Sequence, residues 1–241
     1  MVRIGNFFFR YRNYLFIFLY LALFIPSSPI FSESNAGPKF YLYPIIIGLF
    51  ITIIGQLIRG ATISLAYIVR GGKDKKVYAE QLVTNGIFAH CRNPLYVGNI
   101  LMLVGVGILV NSLLYLLVFI PLFLFIYQAI VLAEENFLRN KFGDQFDAYA
   151  KRVHRWLINP SGLGKTMSEM HFLWKRWLIK EYNTQVIWLM GITVILFFTY
   201  SHWQWNTDTR NLWFVIVLLA LAIYYLTIRY LKKSGKWTAV A

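Results

Sequence analysis

LVTNGIFAHCRNPLYVG, residues 82–98, joins a polar loop to an apolar helix through Pro94. Proline disfavours helical geometry at Asn93 and is itself at home in a first helical turn, so a helix starts there. Its apolar run covers 95–110, Asn111-Ser112 supplies a tight turn, and 113–133 returns. Twenty-one residues at 1.5 Å each make about 31 Å, one hydrocarbon thickness. AEENFLRNKFGDQFDAY, residues 133–149, follows at once, so Tyr96 and the adjacent Glu134 and Glu135 belong to one membrane surface. The pattern predicts an all-α integral membrane protein of about six transmembrane helices, with this hairpin at its centre.

Composition sets the same class: 58% hydrophobic, 18% aromatic and 14% charged residues, with a mean hydropathy of +0.54. The net charge of +14 does not mark a nucleic-acid binder, because Lys and Arg fill the gaps between apolar runs. One cysteine, Cys91, excludes an intrachain disulfide, and no HExxH or Cys/His ligand spacing calls for a metal. No GxGxxG follows a strand, so a Rossmann fold is not expected. Gly105 and Gly107 lie inside a span, where close helix packing accounts for them.

In order, Arg3, Arg10 and Arg12 precede a first span over 14–31, read as a retained anchor rather than a cleaved signal. A second span over 41–58 continues tilted or kinked past Arg59, whose guanidinium is expected to snorkel to the headgroups. Residues 70–92 form a polar loop broken by Gly71-Gly72 and rich in Lys73, Lys75 and Lys76. Beyond the hairpin, Leu138, Phe142, Phe146, Tyr149 and Val153 repeat at helical spacing, as in a helix along the bilayer surface. A second interfacial helix is expected over 166–181, then spans over 186–200 and 212–230, with Trp203 and Trp205 suited to a headgroup belt. The division is 1–40 (anchor and linker), 41–160 (core) and 161–241 (interfacial segment and two spans). All but Lys39 and Arg210 of the 24 Lys and Arg then share one side, which orients both termini and the 70–92 loop toward the cytoplasm of a plasma, inner or reticulum membrane.

Paired carboxylates at a membrane boundary are costly, which marks Glu134 and Glu135 as functional candidates; the competing reading is a solvated first turn of the next helix. Arg92 is a candidate beside them. His90 reads as an interfacial polar residue, and Phe88, Tyr96 and Tyr149 as packing or belt residues.

Three pieces together carry a resemblance: 82–88, then Arg92-Asn93-Pro94-Leu95-Tyr96-Val97-Gly98, then Glu134-Glu135 with Phe142-Gly143, Tyr149 and Arg155. Over about 41–160 the chain resembles the isoprenylcysteine carboxyl methyltransferase and phospholipid methyltransferase superfamily, whose motif is RHPxYxG with a paired Glu after a helical hairpin. The resemblance implies S-adenosyl-L-methionine at the cytosolic surface, in a pocket without a Rossmann fold, contacted by Gln81, Leu82, Val83, Phe88, Asn93, Pro94, Leu95, Tyr96, Glu134 and Glu135. It implies Glu134 and Arg92 as catalytic groups and Arg152 and Arg155 toward an amphiphilic, lipid-like acceptor delivered from the bilayer. The motif histidine is Asn93 here, which keeps hydrogen bonding and loses titration. The eukaryotic prenylcysteine enzymes carry an arginine one turn before the first Glu, where this chain has Ile130, which argues against a prenylcysteine acceptor. Two other classes stay open: an NADPH-dependent sterol-type reductase, sharing an RHPxY-like turn, and a non-catalytic membrane adaptor of the same fold.

Overall fold

Helix α1 (Val2–Leu21) opens the chain and tightens into a 3-10 turn, Ala22–Phe24. Ile25 is extended and Pro26 follows, so the helix cannot continue. This computed structural model describes residues 1–65, 78–200 and 206–238. The short α2 (Glu33–Ala36) is held by a capping box between Ser32 and Asn35. The central hairpin partner is α3 (Leu42–Leu65). A 3-10 turn, Gly86–Ala89, leads into α4 (Pro94–Leu109), with proline in its first turn. A π-helical turn, Tyr115–Phe119, runs into α5 (Ile120–Phe142). Gly143 then turns the chain at φ +51°, a region that favours glycine, into α6 (Asp144–Arg152). The remainder is α7 (Leu163–Glu169), α8 (Trp174–Thr199) and α9 (Thr207–Lys233), the last capped by the Asn206 side chain, which accepts from the Asp208 N–H at 3.1 Å. Among the described residues five helices are long and apolar enough to cross a membrane, and α4 is a shorter apolar sixth. The fold is an all-α, multi-pass membrane fold.

Packing follows from small residues. Gly48 and Gly55 on α3 lie two turns apart and meet Gly105 and Gly98 on α4, also two turns apart and running the other way. A Cβ at Gly105 would come within 2.5 Å of the Thr52 nitrogen, and one at Gly55 within 2.6 Å of the Gly98 carbonyl oxygen. Only backbone-to-backbone contact fits that spacing, the usual solution where lipid supplies no hydrophobic drive between helices. Gly5 lets α1 lie in the same way on α5 at Ala129 and Ala133. Below this contact Phe16 and Tyr20 pack on Phe123, and Phe16 also on Tyr127. Helix α8 joins α3 and α4 through a relay: Trp188 Nε1 donates to Thr52 Oγ1 at 2.7 Å, and Thr52 Oγ1 donates to the Met102 carbonyl at 3.3 Å.

The bundle has two distinct ends. At one, Tyr96 meets Glu134, the Leu173 N–H donates to the Ser64 carbonyl, and Trp174 meets Trp237 ring to ring at 5.0 Å. At the other, Ser27 bonds Ser112, Asn111 ties 30–31, and Tyr200 OH donates to the Leu109 carbonyl at 2.6 Å. Both ends of the described chain, near Gly5 and Trp237, therefore lie at the Glu134 end.

Four sequence expectations change. The first span is Val2–Phe24 and not 14–31: arginines at its start are tolerated in a helix, whereas Pro26 and Pro29 are not. The amphipathic stretch 138–153 is two helices, because Gly143 separates Leu138 and Phe142 from Phe146 and Tyr149. Residues 174–181 are not an interfacial helix but the first two turns of α8, continuous with the span expected from 186. Arg59 does not snorkel, since it is 3% exposed and fully engaged inside the bundle. The expected break at Gly71-Gly72, the lysines after it, and Trp203 and Trp205 lie outside the described residues.

Candidate active site

The loop entering α4 is clamped from behind by the strap that follows α6. The Arg92 N–H donates to the His154 carbonyl at 2.9 Å, the Asn159 N–H to the His90 carbonyl at 3.0 Å, and Asn93 Nδ2 to the Arg155 carbonyl at 3.2 Å. Tyr149 OH donates to the Phe88 carbonyl at 2.7 Å. His90 is used up in this clamp, with Nδ1 on the Asn159 carbonyl and Nε2 on Thr166 Oγ1, both at 2.9 Å. Burial pushes the Tyr149 hydroxyl and the Cys91 thiol upward in pKa, so both stay neutral hydrogen-bonding groups near pH 7.

Neighbouring residues on a helix point about 100° apart, and α5 uses that to separate its two carboxylates. Glu134 accepts the Tyr96 hydroxyl at 2.8 Å and carries no arginine. Glu135 takes a bidentate fork from Arg155, with Nε at 3.0 Å and Nη2 at 2.7 Å, and a second cation, Arg92 Nη1, at 3.2 Å. The carboxylate raises the pKa of Arg155. Both glutamates sit inside α5 with two further turns after them, so they are not the solvated start of a new helix.

A cavity of about 1010 Å³ opens on this arrangement. Gln81, Leu82, Val83, Phe88, Arg92, Asn93, Pro94, Leu95, Tyr96, Glu134 and Glu135 all line it. Two expected acceptor contacts are elsewhere. Arg152 is exposed and outside the lining, and Arg155 turns its fork to Glu135 instead of the cavity. Other lining residues had drawn no attention in the sequence. Helix α1 contributes Phe9, Arg12, Asn13, Phe16 and Tyr20, the 3-10 turn after it Phe24, and α8 contributes Thr184, Ile187, Trp188, Gly191, Val194 and Ile195. Their signal was helical spacing, hidden by an assignment of both helices to scaffold. Arg59 and Asn99 also line the cavity; Arg59 grips Glu181 of α8 with Nε at 2.9 Å and Nη2 at 2.8 Å, and donates Nη1 to Asn99.

Down α4 the lining runs Tyr96, Asn99, then Met102, Leu103 and Val106, from polar to apolar. One end of the cavity thus offers charge and hydrogen bonds, and the other offers only hydrocarbon and aromatic surface. Among the described residues no three His, Cys, Asp or Glu side chains gather as a metal site.

A profile of the phospholipid methyltransferase family matches residues 44–145. The nickel-cobalt-cadmium resistance protein NccN of Alcaligenes xylosoxydans xylosoxydans is 28% identical over 116 residues, 48% of this chain and 53% of that one. The protein-S-isoprenylcysteine O-methyltransferase of Schizosaccharomyces pombe is 33% identical over 116 residues, 46% of this chain and 45% of that one. A probable protein-S-isoprenylcysteine O-methyltransferase of Oryza sativa subsp. indica is 30% identical over 125 residues, 49% of this chain and 63% of that one. The chain spans about half the length of the curated relatives it matches. No solved structure matches it. The profile falls on α3, α4 and α5, the helices that carry the RNPLYVG turn and the Glu pair, and over this stretch the chain is similar to phospholipid and isoprenylcysteine carboxyl methyltransferases.

Proposed function

We propose that this protein is a membrane methyltransferase that moves a methyl group from S-adenosyl-L-methionine to an amphiphilic, lipid-like acceptor. The observation that carries the reading is the cavity itself, which joins the Glu134 and Tyr96 end to an apolar end between α1, α4 and α8. A water-soluble donor suits the first end and a lipid tail the second.

The residues present fit such a donor. Glu134 is a carboxylate engaged only by a hydroxyl, a complement for a cationic group. Arg92 Nε is buried without a hydrogen-bond partner, a donor that an anionic group on the ligand would satisfy. Phe88, Phe146 and Tyr149 give flat walls near the 81–83 loop. When bound, the donor supplies an electrophilic methyl on a sulfonium sulfur, and its transfer leaves a neutral thioether.

The chain's part is mainly positional. Glu135 fixes Arg92 and Arg155, and through them the strap that clamps the loop. Tyr96 holds the Glu134 carboxylate in one orientation. A carboxylate acceptor needs no proton transfer, whereas an amine must lose one proton, and Glu134 is the member of the pair with no arginine on it to oppose that role. Helices α1 and α8 keep water from the apolar half.

Purified protein in phosphatidylcholine nanodiscs should bind S-adenosylhomocysteine and leave NADPH unbound. It should then transfer radiolabel from S-adenosyl-L-methionine into a total lipid extract. Binding of NADPH without S-adenosylhomocysteine would turn the reading to a reductase, and binding of neither would turn it to an adaptor.

A further inference from the structure

Three arginines line the cavity, and two already pair with a carboxylate. Arg92 is held by Glu135, and Arg59 by Glu181 and Asn99. Arg12 is the third. It pairs with no carboxylate among the described residues, and its guanidinium rests 4.5 Å from the centre of the Phe9 ring. Its neighbours Arg3 and Arg10 are exposed on the outside of α1, as charges that only orient a helix would be. Arg12 is half-buried and faces inward.

Placing a cation on the inner face of a membrane helix is costly, and such residues face a partner or a water-filled cavity. Helical side chains lean toward their own N-terminus, so Arg12 reaches back toward the end of the bundle that holds Glu134. It lies within electrostatic range of Glu134, Tyr96 and Tyr127 without forming an ion pair. The cavity therefore keeps Glu134 and Arg12 apart and unneutralised by each other, with Glu80 an exposed further carboxylate of the lining, held by the Tyr78 hydroxyl. Below Arg12 the same face turns apolar: Phe16 and Tyr20 of α1, then Phe24 of the 3-10 turn, follow at helical spacing. From Arg12 to Phe24 is twelve residues, about 18 Å along the helix. An amphiphile laid along that face has its tail against the aromatic rings and its head at Arg12.

We infer that Arg12 recognises the acceptor, and that the acceptor is an amphiphile with an anionic head, a carboxylate or a phosphate, at the boundary between the polar and apolar halves. The inference rests on the methyl-transfer reading for what then happens to the bound amphiphile, but not for the recognition itself. Arg12 comes from α1, outside the 44–145 match, so this selectivity is a property of the chain's own N-terminal helix.

The test uses amphiphiles of one tail length: dodecanoate, dodecyl phosphate, dodecanol and dodecylamine, titrated into the full chain in phosphatidylcholine nanodiscs. The wild type should bind one or both anionic forms roughly tenfold or more tighter than the neutral and cationic ones, and which anion wins identifies the head. Arg12→Gln should erase that preference while S-adenosylhomocysteine affinity stays unchanged, and Arg12→Lys should keep part of it. Equal binding of all four heads to the wild type would overturn the inference even if Arg12→Gln fails to fold. So would an undiminished anion preference in Arg12→Gln, or an S-adenosylhomocysteine affinity that falls by the same factor, which would assign Arg12 to the donor. If the wild type binds no S-adenosylhomocysteine, the methyl-transfer reading fails alone, because the head-group series is read without it.

Discussion

Two glutamates one residue apart are held in different ways, and their substitutions should separate. Glu134 keeps one hydroxyl partner, so Glu134→Gln should leave thermal stability near the wild type and weaken S-adenosylhomocysteine by roughly 10 to 150 fold, the usual cost of a charge-assisted hydrogen bond. Glu135→Gln removes the anion from between Arg92 and Arg155 and should lower the melting temperature, because two cations are left facing each other behind the site. Calorimetry and a thermal melt on both variants check this; equal loss of affinity with equal stability would mean that the pair acts as one group. Cys91 offers an independent reading of the same region. It is fully buried, and burial raises its thiol, so less thiolate is present at any pH and alkylation should be roughly tenfold or more slower than in the unfolded chain. Fast labelling of folded protein would show that the strap over residues 90–93 opens. Sequence motifs located both glutamates, but they could not tell the two roles apart, because Arg155 reaches Glu135 from a strap twenty residues on.

At the scale of helices, the bidentate pair between Arg59 on α3 and Glu181 on α8 binds the C-terminal part to the hairpin. Both side chains are almost wholly buried. Glu181→Leu strands the guanidinium without its counter-ion and should cost about 3 to 5 kcal/mol, whereas Arg59→Leu with Glu181→Leu should recover much of that, since neither charge then needs solvation. Thermal unfolding of the single and double variants in one nanodisc composition measures it. A double variant no more stable than the single one would show that Asn99 or the cavity, and not the pair, needs Arg59. The hairpin was legible in the sequence because Pro94, the Asn111-Ser112 turn and the glycines announce their geometry locally. The α3 to α8 clamp was not legible, because 122 positions separate its partners and an arginine at a span's end has an ordinary explanation at the headgroups. The same holds for α1: Arg12 looked like one more orienting charge, and only the packing of Gly5 on Ala129 turns its face inward.

For the whole molecule, the structure and the charge distribution speak to the same question. Helix α4 has 16 residues, about 24 Å, less than a full hydrocarbon thickness, yet its two ends meet opposite ends of the bundle: Tyr96 at Glu134, Leu109 at Tyr200. It therefore counts as a crossing, and among the described residues it makes six with the five longer helices, an even number. That parity matches the chain ends found together near Gly5 and Trp237. Lys39 and Asp208 then lie on one side of the membrane, and Lys165 with most of the other described basic residues on the other. By the excess of Lys and Arg we expect the second side, with the Glu134 end of the cavity, to face the cytoplasm, where a soluble donor is available. Because native Cys91 is buried, single cysteines can be introduced without removing it. In intact cells an impermeant maleimide should label Lys39→Cys and Asp208→Cys, and should reach Lys165→Cys only after lysis. Labelling of Lys39→Cys from outside but of Asp208→Cys only after lysis would break the parity, showing that α4 does not count as a crossing in the membrane. Labelling of Lys165→Cys alone in intact cells would keep the fold and invert its orientation, moving the Glu134 end of the cavity to the side where the proposed cytosolic donor does not reach it.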